Sequence, residues 1–204
     1  MIRDVDSHTL DAIDRPSASG PGRTSDSDAA AMRLALTEAD LALGTADVPV
    51  GAVVLDRDGT VLGHGRNERE RDHDPTAHAE MVAIRRAAAA RGDWHLEQTT
   101  LVVTLEPCPM CAGAILAARI PRVVFGAWDD KAGAAGSVYD LLRDRRLPHR
   151  AEVVGGVLEE ECAALVRGFF RSARASEVET GTAGRSPREA ATVDLRTRAS
   201  RPGR

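Results

Sequence analysis

Apolar positions recur along the chain in two rhythms, a helical one and a strand-like one, and glycine, proline and short polar residues mark the changes between them. Behind Asp28, taken as the capping residue, Ala29, Met32, Ala35, Leu36, Ala39 and Leu43 lie at helical spacing until Gly44, which predicts a first helix. Two β-rich runs, 50–56 and 60–66, meet across Arg57-Asp58-Gly59. Asp-Gly is the chemistry of a tight hairpin turn, so these strands are expected to pair antiparallel. His78 to Arg91 carries strong helix formers and stops at Gly92. Leu101 to Leu105 is a continuous apolar run, as a strand covered on both faces requires, and Pro109 to Arg119 reads as a helix with proline in its first turn. Arg122 to Phe125 predicts a fourth strand, Ser137 to Leu142 a short helix, Glu152 to Val154 a weak fifth strand and Glu159 to Arg171 a final amphipathic helix.

Strands alternating with helices predict an α/β chain in three layers, a mixed five-stranded sheet opened by the hairpin and covered by helices on both faces. The flanks lack the periodicity. Residues 1–27 are rich in Asp, Ser, Thr, Pro and Gly and bury too little to offset the entropy of ordering, so they are expected to form a disordered leader. Residues 172–204, broken by Ser186-Pro187 and Arg201-Pro202-Gly203, are expected to form a disordered, arginine-containing tail. One domain, residues 28–171, remains between them.

The composition, 43% hydrophobic with a net charge of −4, is ordinary for a folded domain. Aromatics number only six, three Phe, one Tyr and two Trp, so the core must be aliphatic. The longest uncharged apolar run, Met110 to Ala118, is nine residues. A spanning helix needs about 20, so no membrane partner is expected. Six aspartates among the first thirty residues argue against a secretory signal and for a cytoplasmic protein.

The candidate chemistry sits at two helix starts, His78-Ala79-Glu80 and Pro107-Cys108-Pro109-Met110-Cys111. One imidazole and two thiolates are good Zn²⁺ ligands, and three protein ligands leave a position open, the mark of a catalytic site. Cys108 is aided in ionising by the N–H groups of the helix it opens. Glu80, two residues from His78, is badly placed to be a ligand and well placed to move a proton for a hydrolytic reaction at an sp² carbon. Alone, a C-x-x-C is as often a structural zinc site or a redox dithiol; His73, His95, His149 and Cys162 are available as a fourth ligand. Cys162 by itself reads as a core residue.

H-x-E followed by P-C-x-x-C is the pattern of zinc-dependent nucleobase deaminases. The likeness extends to Pro49-Val50-Gly51-Ala52, Asn67, Asp74 to Glu80, Thr104 to Cys108, Met110 to Ala114, Arg122 to Ala127, Gly133 to Ser137, His149-Arg150, Glu161 to Leu165 and Phe169-Phe170-Arg171. Across 28–174 the chain resembles the bacterial tRNA-specific adenosine deaminases. The resemblance implies a cytidine-deaminase-like fold, a homodimer, one zinc per subunit on His78, Cys108 and Cys111, and Glu80 as proton shuttle. It also implies conversion of adenosine to inosine at the wobble position of an arginine tRNA. Asn67 corresponds to a base-contacting asparagine, Asp129 and Lys131 to a loop that touches the anticodon, and Phe170 with Arg171 to an RNA-docking part of the last helix. Residues 171–204 hold eight arginines against four acidic residues, so this end is expected to contact the tRNA backbone although the chain as a whole is acidic. A deaminase of free bases or nucleosides, and a zinc-stabilised binding module without catalysis, are the alternatives; Glu80 speaks against the second.

Overall fold

A hairpin forms one edge of the sheet in this computed structural model, which describes residues 25–179. Strands β1 (Gly51–Leu55) and β2 (Val61–Arg66) pair antiparallel, and Gly59, at φ +87°, supplies the left-handed residue of the turn between them. β3 (Thr100–Leu105) runs antiparallel on the other side of β1, followed by β4 (Arg122–Ala127) and β5 (Glu152–Val154), each parallel to its predecessor. The order is β2-β1-β3-β4-β5, the five-stranded mixed sheet expected.

Alternation along the central strands divides the apolar residues between two cores. Ala52, Val54, Leu101, Val103, Val123 and Phe125 face one side, where α3 (Ala79–Arg91) sets Ala79, Ala83, Ile84 and Ala87 against them and α4 (Pro109–Ala117) adds Ala112, Ile115 and Leu116. Val53, Val102 and Val124 face the other, where α1 (Asp26–Ala42) contributes Ala31, Met32 and Ala35, and α5 (Glu159–Glu179) contributes Cys162. Helices thus cover both faces. The small residues set the spacing. A methyl group on Gly65 of β2 would stand 2.6 Å from the Ala79 carbonyl oxygen and 2.7 Å from the Ala83 nitrogen, so glycine there lets the start of α3 lie directly on the sheet.

Several local expectations are corrected. The first helix is capped by Ser25, whose hydroxyl accepts from the Asp28 N–H while the Asp28 carboxylate accepts from the Ser25 N–H, so Asp28 is the far half of a capping box and not the cap itself. A four-residue helix, α2 (Arg69–Asp72), was not anticipated. Residues 137–142 form no helix. Gly136 at φ +145° breaks the helical path, and the Ala135 and Ser137 amides bond to the Glu106 carboxylate instead of to carbonyls one turn back. The last helix continues eight residues past the expected end at Arg171, to Glu179. Apart from 25–27 and 172–179, the expected leader and tail lie outside the described residues. None of the described helices is long and apolar enough to cross a membrane.

Candidate metal centre and cleft

Two helix N-termini meet at the edge of the sheet where β2, β3 and β4 end and β1 begins. His78 is the N-cap of α3, and Cys108, one tripeptide beyond β3, is the N-cap of α4. Neither caps its helix through its side chain, which leaves the imidazole and the thiol free to face each other across the gap. Asn67, just past β2, does the capping for α3: its Oδ1 accepts from the Ala79 N–H at 3.0 Å, and its Nδ2 donates to the Val48 carbonyl at 3.1 Å. Asn67 therefore fixes the direction in which His78 leaves the helix.

The three ligand atoms form a nearly equilateral triangle. Cys108 Sγ lies 3.6 Å from Cys111 Sγ and 3.7 Å from His78 Nδ1, and Cys111 Sγ lies 3.6 Å from the same nitrogen. Tetrahedral zinc, at its usual bond lengths, would hold two sulfurs about 3.8 Å apart and sulfur and nitrogen about 3.6 Å apart. The triangle is thus one face of a zinc tetrahedron, and its fourth vertex is left to a non-protein ligand. Among the described residues this is the one His/Cys/Asp/Glu group with metal-binding geometry, which removes His73, His95, His149 and Cys162 as a fourth ligand. Cys162 is buried in the opposite core, as expected.

As protein groups alone, the three donors share their protons unequally. The Cys111 thiol, hydrogen bonding to Cys108 and outweighing the cost of burial, holds Cys108 down to about 4, with His78 adding to the effect. The Cys111 thiol is driven far up by that shared bond, by burial and by the nearby Glu80 carboxylate. His78 is raised by its bond to Cys108, with burial and the charge of Arg69 working against it. As protein groups alone, the cluster retains one thiol proton that a second thiolate ligand would have to release to a metal ion.

Glu80 lies at the floor of the cleft, 4% exposed, in the first turn of α3. Burial lifts its carboxyl to about 7, while its own backbone N–H and His78 pull the other way. A carboxyl poised near neutrality beside the Cys111 thiol and facing the cleft is equipped to take a proton and return it. The cleft above it measures about 180 Å³ and is lined by Val48, Val50, Asn67, Arg69, Leu105, Glu106, Asp129 and Ala132 together with His78 and Cys108. A cleft this small suits a single planar ring system, and a longer substrate would have to lie on the rim.

Of the residues singled out in the sequence, the structure brings together His78, Glu80, Cys108, Cys111, Asn67 and Asp129. Asp129 turns its carboxylate onto its own loop, accepting from the Lys131 and Ala132 amides at 3.0 and 3.2 Å. Lys131 is exposed and lines no part of the cleft. Phe170 and Arg171 are exposed on α5, on the other side of the sheet; the Phe170 ring packs edge-on against Phe169.

Glu106 was missed. It is 2% exposed, and its carboxylate accepts from the Ala135 and Ser137 amides on Oε1 and from the Asp129 amide on Oε2. Burial alone would raise its pKa, but these bonds hold it below the ordinary carboxylate range. The signal was present in the sequence as a lone acid between an apolar strand and Pro107.

Residues 25–127 match the family model for the cytidine and deoxycytidylate deaminase zinc-binding region. The tRNA-specific adenosine deaminase of Bacillus subtilis is 48% identical over 143 residues, which cover 70% of this chain and 88% of that protein. A solved structure from a study of A-to-I editing by tRNA:A34 deaminases superimposes with a TM-score of 0.64 at 42% identity, over 67% of this chain and 98% of that one. A guanine deaminase from Nitrosomonas europaea, 23% identical over 69% of this chain and 83% of its own, shares the fold with a TM-score of 0.62.

Proposed function

The chain belongs to the cytidine and deoxycytidylate deaminase family, and from that premise we propose that it converts adenosine to inosine at the wobble position of an arginine tRNA. The observation that carries the chemistry is the buried Glu80 beside a three-ligand zinc triangle at the floor of a one-heterocycle cleft. The choice of substrate is supported by the likeness, over nearly their whole length, to proteins named tRNA-specific adenosine deaminases.

His78, Cys108 and Cys111 would hold one zinc ion, which when bound supplies the Lewis acidity that makes hydroxide available near neutral pH. Glu80 accepts the proton that water gives up and delivers it to the ring nitrogen; it then takes the remaining proton of the added hydroxyl and passes it to the amino group, which leaves as ammonia. The apolar walls, buried Val50 with half-buried Val48 and Leu105, exclude other water and keep the Glu80 carboxyl near its working pKa. Asn67, whose Nδ2 keeps a second proton beyond the one given to Val48, offers a donor to the base edge.

In this reading Asp129 and Lys131 stand on the loop nearest the flanking anticodon nucleotides, and Phe170 with Arg171 reach RNA from α5. The enzyme works in the cytoplasm as a homodimer. Support for the second copy comes from α4, which has no charged side chain on any face and exposes Pro109, Gly113 and Ala117 beside the metal site.

The test is inosine formation in zinc-loaded protein given an arginine tRNA with adenosine at the wobble position, beside free adenine, adenosine, guanine and cytosine. Deamination of the tRNA alone is expected. Turnover of a free base with the tRNA untouched would keep the zinc chemistry and overturn the substrate.

A further inference from the structure

Four arginines gather around the segment that follows β2, Arg66 at the end of that strand, Arg69 and Arg71 in α2 and Arg86 in α3, and three of them are spent on one buried carboxylate. Glu68 Oε1 is met by Arg71 Nη1 at 2.8 Å, by Arg86 Nη2 at 3.4 Å and by Arg66 Nη2 at 3.9 Å. Arg66 also pairs with Glu38 at 3.5 Å, and Arg71 with Asp72 at 2.7 Å. Arg69 differs. Among the described residues its guanidinium makes no ion pair and no hydrogen bond, although it lines the cleft beside Asn67 and His78.

The backbone that carries Arg69 is held firmly. Asp47, 1% exposed, accepts from the Glu70 amide at 2.8 Å and from the Arg71 amide at 3.4 Å, so the segment is pinned immediately after Arg69. The cleft's other charged groups are engaged: Glu106 takes three amides, Asp129 takes two, and Glu80 belongs to the chemistry. A solvent-facing guanidinium without a carboxylate, carried on backbone that is held in place, is matched to an anion brought by the substrate.

The cleft admits one heterocycle, so a base that reaches Glu80 from within a strand leaves its sugar and adjoining phosphates at the rim, where Arg69 stands. We propose that Arg69 grips the phosphodiester adjoining the flipped nucleotide, as a positioning residue for a polynucleotide substrate. The proposal rests on the tRNA reading above and adds to it the residue that holds the strand.

The experiment uses the full-length, zinc-loaded protein and an anticodon stem–loop in which each loop phosphate in turn is replaced by a neutral methylphosphonate, compared for wild type, Arg69→Ala and Arg69→Lys. With the unmodified stem–loop, Arg69→Ala is expected to raise KM about tenfold, the worth of one charge-assisted contact, with kcat, zinc content and Tm unchanged. Its dependence of log KM on log salt should be shallower by about 0.7, one phosphate on a single strand. At one loop position the methylphosphonate should cost wild type the same factor and cost Arg69→Ala nothing, and Arg69→Lys should recover part of the loss. Equal sensitivity of wild type and Arg69→Ala at every position would overturn the proposal. A wild type that neither binds nor edits the unmodified stem–loop would overturn the tRNA reading itself and the proposal with it.

Discussion

On one wall of the cleft the chemistry is carried by the first turns of α3 and α4, each seated on the sheet by several alanines and, for α3, by a glycine that only close helix contact requires. On the opposite wall the rim from Asp129 to Ser137 forms no helix or strand; beside backbone bonds such as the Ala134 N–H to the Pro107 carbonyl at 2.8 Å, it is gathered by the carboxylate of Glu106, which takes three of its amides. The first wall is supported by many small contacts that share the load. The second concentrates much of its anchoring in one buried acid that takes three amides at once. The difference separates chemistry from selectivity: the group that moves protons stands on the rigid wall, and the loop facing a substrate's neighbours can change without disturbing it.

The strongest way to break the rigid wall is to remove a ligand. Cys111→Ala should abolish zinc binding and reduce turnover to background, and the metal's contribution to stability is lost with it, so Tm falls as well. Metal analysis and thermal unfolding measured together check this. Retention of one zinc per chain would mean that a group other than the three-atom triangle holds the ion.

Glu80→Gln attacks the same wall without touching the ligands. Turnover should fall by about 10²- to 10⁴-fold, the usual worth of a general acid–base group, with zinc content and Tm unchanged. The amide has the same shape and removes only the ability to take and return a proton. Loss of zinc in this variant would place Glu80 among the ligands.

The second wall yields to Glu106. Alanine there strands the amides of Asp129, Ala135 and Ser137, each costing about 1–3 kcal/mol if it finds no other partner. Partial relief by water leaves an expected loss of about 2–4 kcal/mol, or roughly 4–16 °C in Tm for a chain of this size. Glu106→Gln is the sharper variant. Its carbonyl can still accept from Ala135 and Ser137, but its NH₂ must face the Asp129 amide, donor against donor, so the loop should loosen at Asp129 alone. Substrate KM is expected to rise in both variants while zinc stays bound. If kcat fell instead with KM unchanged, the two walls would not be separable.

The same contrast explains what could be read from the sequence. His78, Glu80, Cys108 and Cys111 were legible because each sits at a fixed offset from a helix start, and strand–helix alternation follows from local periodicity. Asn67 entered only through resemblance; its capping of α3 joins residues twelve apart in the chain, across a loop. Glu106 was marked only as a lone acid before Pro107, and its role stayed hidden because its three partners lie 23 to 31 residues onward, the last of them, Ser137, opening a stretch expected to be helical. Asp28 was misassigned by three residues because a capping box places an oxygen at both ends of the motif, and either residue can pass for the cap.

The smallest effect is expected farthest from either wall, on the opposite face of the sheet. Asp28, beneath α1, receives both terminal nitrogens of Arg122 at 2.8 and 3.0 Å, tying the first helix to β4. Burial would raise the Asp28 pKa, but the Arg122 bonds and charge, with the Ser25 amide, bring it below the ordinary value of 3.8. A carboxylate with a depressed folded-state pKa binds its proton more readily in the unfolded chain. Its contribution is therefore complete above the unfolded value and disappears as pH falls through that value toward the lower folded one. Asp28→Asn should cost about 1–2 kcal/mol at pH 7, a few degrees of Tm, and the gap from wild type should close below roughly pH 4. Zinc content and KM should not change. Thermal unfolding across pH 3–7, with both proteins measured in parallel, checks it, and a gap that persisted at the acid end would show that the pair is held by packing rather than by charge.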